Sequence, residues 1–75
     1  MTTLDRLPTG SRGEIASLSG DPGLVQRLLE FGLFEGETVE VIGTAPLGDP
    51  IEIRLGSTRL SLRRAEAAGI QIRPS

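Results

Sequence analysis

Between Gln26 and Val41 the chain changes period within a few residues. Leu28, Leu29 and Phe31 continue an apolar stripe at helical spacing, Gly32 stops it, and Phe34-Glu35-Gly36-Glu37 turns the chain. Thr38-Val39-Glu40-Val41 then alternates as a strand. Nearly everything outside this stretch reads as short strands. The fold must therefore seat one short helix in a small β-domain. A helix of this length is marginal alone, so its stripe has to face a core that the strands supply.

The helix has a start signal as clear as its stop. In Ser19-Gly20-Asp21-Pro22, Asp21 can accept from the first unpaired backbone N–H groups and Pro22 suits the first helical position. Leu24, Leu28 and Phe31 define the core-facing stripe, flanked by Val25 and Leu29, with Gln26, Arg27 and Glu30 opposite. Gly32 supplies a left-handed residue, which lets Leu33 fold back on Leu28.

Five strands surround the helix. Arg12–Leu18 is the first, with poor alternation that leaves its core side open. Leu4 and Leu7 ahead of it can cover an exposed edge. Thr38–Thr44 places Val39 and Val41 on one face and Ile42 with Glu40 on the other. Ile51, Ile53 and Leu55 alternate against Leu60 and Leu62 around a Gly56-Ser57 turn with glycine first. That register pairs Ile51 with Leu62, Ile53 with Leu60 and Leu55 with Thr58. It also sets Arg54 opposite Arg59, with Glu52 as the carboxylate available to separate them. Arg64–Ala68 gives one helical turn stopped by Gly69. Ile70 and Ile72 form the last strand, with residues 73–75 expected to fray. Five short strands with frequent turns suggest a small barrel, since closure removes exposed edges.

The 75 residues make a single domain, 1–75, with a thin core. Neither cysteine nor histidine is present, which excludes disulfides, the usual general base and nearly all zinc, haem or iron–sulfur ligation. No cofactor is expected. Asp49, Glu52 and Glu66 are the carboxylates that would have to converge to hold a metal, and their spacing gives no such motif. The net charge of −2 weighs against nucleic acid. All 8 basic residues are arginine, a compositional bias or a choice of the bidentate fork. No apolar run approaches the ~20 residues that span a bilayer, and the first residues lack the order of a signal peptide, so the cytoplasm is the expected compartment.

Five segments in order carry a family resemblance over roughly Leu4 to Ile72. They are Leu7-Pro8-Thr9-Gly10 with Gly13-Glu14-Ile15, Arg27-Leu28-Leu29-Glu30-Phe31-Gly32-Leu33, and Gly36-Glu37-Thr38-Val39. Pro46-Leu47-Gly48-Asp49-Pro50 and Leu60-Ser61-Leu62-Arg63-Arg64-Ala65-Glu66-Ala67 with Ile70 complete the set. With these the chain resembles the ferrous iron transport protein A (FeoA) family. One departure is the turn, where Phe34-Glu35 stand before Gly36 and family members often have proline.

The resemblance implies a mainly β, small α+β fold: an SH3-like five-stranded barrel with one inserted helix and a short C-terminal helical turn. It implies a non-enzymatic cytoplasmic accessory of bacterial ferrous iron uptake, recruited to the inner membrane face by a FeoB-like GTPase-permease without inserting itself. Two other classes stay open: a regulatory barrel related to the C-terminal domains of DtxR-type repressors, and a small nucleic-acid-binding module. An uncovered strand edge would also allow weak self-association.

The candidate contacts are Arg27, Phe34, Glu35, Pro46, Leu47, Arg54 and Arg59. Arg27 is either a solvated partner of Glu30 or a contact beside the helix exit. Phe34 is a contact if exposed and core if buried, with Glu35 beside it. Pro46 and Leu47 lie in a proline-bracketed loop that would lose little entropy on binding. Arg54 and Arg59, with Arg63 and Arg64, are either the solvated side of the hairpin or a receiver for an acidic surface or phosphate.

Overall fold

The structure, a computed structural model, describes residues 1–74. Its strands are β1 (Thr2–Thr3), β2 (Arg12–Leu18), β3 (Thr38–Thr44), β4 (Ile51–Leu55), β5 (Thr58–Leu62) and β6 (Ile70–Pro74). They form one sheet in the order β1-β6-β2-β3-β4-β5, antiparallel at every pairing. Helix α1 (Pro22–Glu30) joins β2 to β3, and α2 (Arg64–Ala67) joins β5 to β6.

Strand β1 is one more than the sequence suggests. Its two residues pair with Ile72 and Gln71, and a 3-10 turn over Leu4–Arg6 follows at once. Leu4 is thereby driven into the core with no exposed surface. The chain end is also ordered further than expected. Arg73 pairs with Glu14 and Pro74 with Gly13, so these residues extend β6 and do not fray. The Arg73 guanidinium donates to Glu14 Oε1 at 3.1 Å. Ser75, in the segment expected to fray, lies outside the described residues.

Two irregularities explain the broken alternation. The β2–β6 register shifts between Ile15 and Ser17, and the β3–β4 register between Val41 and Gly43. An extra residue flips the phase of everything after it. Ile15 and Leu18 can then both pack on the core although three residues apart, and Ile42 at the second shift is half-buried. The β4–β5 hairpin has the expected register throughout, including Arg54 opposite Arg59.

Helix α1 begins as its sequence suggests. Asp21 accepts from the N–H groups of Gly23 and Leu24 at 2.9 and 3.2 Å. At its end, Leu33 N–H donates to Leu28 O at 3.1 Å and Gly32 N–H to Leu29 O at 2.9 Å, across a Gly32 φ of +94°. This is the paired-bond glycine cap, and its accompanying contact buries Leu28 and Leu33 completely. Phe31 departs from expectation. It is 49% exposed because the chain is already leaving the helix there, and Leu33 takes the core position instead.

Candidate functional site

The loop from Ala45 to Pro50 is held at several points. Ala45 N–H donates to Pro50 O at 3.0 Å and Gly48 N–H to Ala45 O at 2.7 Å. From α2, Arg64 Nε donates to Gly48 O at 2.5 Å and Arg64 N–H to Asp49 Oδ1 at 3.0 Å. The same guanidinium reaches Asp5 O at 2.6 Å. Arg64 is thus a strut between the loop and the N-terminal turn, its donors already directed at backbone carbonyls. What the loop presents is Leu47, 97% exposed, beside an exposed Pro46.

Helix α1 joins this region through α2. Arg27 pairs with Glu66 rather than with Glu30, because α2 brings a carboxylate against the polar side of the helix. Glu66 Oε1 also accepts from Arg63 N–H at 3.0 Å, which fixes the carboxylate at the start of α2. The Arg27–Glu66 pair and the Arg64–Gly48 carbonyl bond are both carried by α2, which in this way ties the helix and the loop to one element. Of the seven expected contact residues, the fold links Arg27, Pro46 and Leu47 in this way.

Phe34 and Glu35 occupy the exit turn. Gly36 N–H donates to Ile15 O and Ile15 N–H to Glu37 O, both at 2.8 Å, which pins the turn to β2. Phe34 is 51% exposed, so this aromatic stands out from a fixed backbone. Phe31 stands out one turn earlier, although helical spacing alone places it in the core. The sequence signal was its place immediately before Gly32-Leu33, where the cap takes over.

Arg54 and Arg59 lie elsewhere, on the outer side of the β4–β5 hairpin. The carboxylate beside this pair is Glu40 across the β3–β4 pairing, not Glu52, and it engages Arg54 alone: Arg54 Nη2 meets Glu40 Oε1 at 2.5 Å. Among the described residues, neither arginine shares a hydrogen bond or ion pair with the loop or with α1. The expected residues thus occupy separate surfaces. No three acidic residues among those described gather as a metal site. Asp49 and Glu66 are instead engaged with backbone N–H groups. No described helix is long and apolar enough to cross a membrane.

The FeoA domain family model matches residues 2–74. The chain is 38% identical over 69 residues to the Fe(2+) transport protein A/Fe(2+) transporter FeoB fusion protein of Porphyromonas gingivalis, a match covering 92% of this chain. It spans only 8% of that relative's length. Among solved structures, it is similar to the FeoA protein of Chlorobium tepidum, with a TM-score of 0.92 and 38% identity over 97% of this chain and 70% of that one. It is also similar to Stenotrophomonas maltophilia FeoA, described as a prokaryotic SH3 domain protein and solved with zinc. That match has a TM-score of 0.85 and 28% identity, covering 97% of this chain and 91% of the other.

Proposed function

The chain belongs to the FeoA family, and we propose that it is a non-enzymatic cytoplasmic accessory of ferrous iron transport that docks on a FeoB-type permease and modulates it by contact. The observation that carries this reading is the Porphyromonas gingivalis relative, in which a similar domain and an FeoB transporter share one polypeptide. Fusion holds two modules at high effective concentration, which favours parts that work in contact.

The surface chemistry supports docking. Phe34 and Leu47 expose apolar area on hydrogen-bonded turns, so binding immobilises little that is free beforehand. Aromatic anchors of this kind contribute a large share of interface energy. We assign Phe34, Pro46 and Leu47 to the apolar contact, with the charged Glu35 and Arg27 at its rim. Arg54 and Arg59 supply a separate basic surface.

A photo-crosslinking amino acid in place of Leu47, in cells that also make the cognate permease, tests the reading. A crosslinked species containing the permease is expected, and one in place of Phe34 should behave alike. Crosslinks absent from both positions, with the protein folded and abundant, would contradict it.

A further inference from the structure

The strand registers place four charged residues in one row across the sheet. Arg12 pairs with Glu40, Glu40 with Arg54, and Arg54 with Arg59, so the row crosses β2, β3, β4 and β5. A depression of about 270 Å³ lies over the Arg12–Glu40–Arg54 part of the row, lined by these three with Thr38, Val39 and Gly56, and Arg59 stands beyond it on β5. The row holds three arginines and one glutamate on a chain whose net charge is −2. Its two inner members neutralise one another through the Arg54–Glu40 pair. Among the described residues, the outer two, Arg12 and Arg59, form no ion pair.

We propose that this row is a docking site for an extended acidic segment of a partner protein, laid across the strands with carboxylates at Arg12 and Arg59. Three inter-strand steps of ~4.8 Å separate those arginines by ~14 Å at the backbone. An extended chain covers that distance in about four residues, and side chains at i, i+2 and i+4 share one face. Acidic residues at i and i+4 therefore reach the two unpaired guanidiniums, each suited to a bidentate carboxylate. The residue at i+2 passes over the neutralised centre. A single small anion reaches only one of the two unpaired arginines, because the Arg54–Glu40 pair stands between them in the row. Glu52, two residues along β4 from Arg54, repels carboxylates from that side and confines the segment to the row. Nucleic acid is disfavoured, since the row is short and none of its residues or those lining the depression is aromatic. The inference stands apart from the permease reading, because it concerns a different surface and does not depend on which protein carries the segment.

The test is a nitrogen-15 amide titration of the intact chain with a capped Glu-Ser-Glu-Ser-Glu peptide at about 10 mM ionic strength, where surface charges are little screened. Shifts should concentrate at Arg12, Glu40, Arg54 and Arg59 and weaken with added salt. Arg12→Ala and Arg59→Ala should each weaken binding about fivefold, and Glu40→Gln should tighten it. Parallel titrations use the Gln-Ser-Gln-Ser-Gln peptide, inorganic phosphate and a uridylate hexamer. The proposal is overturned if the acidic peptide leaves this row unshifted. It is overturned equally if the arginine variants bind as well as the parent, or if any of the three control ligands shifts the same residues as strongly. The same spectra report whether each variant is folded.

Discussion

Gly69 has no room for a side chain. A Cβ built there would lie 2.2 Å from the carbonyl oxygen of Ser19, where β2 ends against the start of β6. Ser19 N–H donates to Gly69 O at 2.8 Å, so the two backbones are locked at that spacing. Gly69→Ala should therefore cost about 1–3 kcal/mol in urea unfolding. Gly43→Ala, where a Cβ would meet nothing within 4 Å, should change stability by less than about 0.5 kcal/mol. The sequence marks Gly69 as a helix stop, but the approach of Ser19 comes from fifty residues away and leaves no local trace. The same limit applies to charge partners. Arg54 opposite Arg59 follows from the turn, whereas Glu40 and Glu66 as carboxylate partners follow only from how separate elements meet.

Individual elements were legible where chemistry is local. The Asp21-Pro22 start, the Gly32-Leu33 end and the Gly56-Ser57 hairpin each follow from a few adjacent residues, and each has the form its sequence suggests. Asp21→Ala should cost about 1 kcal/mol by losing the accepted N–H bonds of Gly23 and Leu24, measured as a shift of the unfolding midpoint. Period reasoning failed at the two register shifts and at Phe31, because a bulge or a cap changes phase without changing composition. That failure matters for the surface: Phe31, assigned to the core by spacing, joins Phe34 as exposed aromatic area.

At the scale of the whole molecule, the small α+β sheet follows from the sequence, but its completion does not. Thr2 and Thr3 have no strand pattern of their own and acquire one only against β6, which brings Leu4 into the core. Leu4→Ala should cost about 2–5 kcal/mol, a large part of the stability of so small a domain, and calorimetric melting would register it. The candidate contacts were legible as residue types in turns. Their division into a loop-and-helix surface and a separate arginine row was not, since it depends on α2 tying Arg27 to the loop and on sheet register. In the proposed function this domain binds an FeoB-type permease through exposed apolar side chains on fixed turns. Titration calorimetry against the purified full-length FeoB-type permease tests it most directly. Saturable binding is predicted, lost or at least tenfold weaker in a Phe34→Asp, Leu47→Asp double variant that melts like the parent, a loss of about 1.4 kcal/mol or more. No binding by the parent chain, or equal binding by the double variant, would contradict the account.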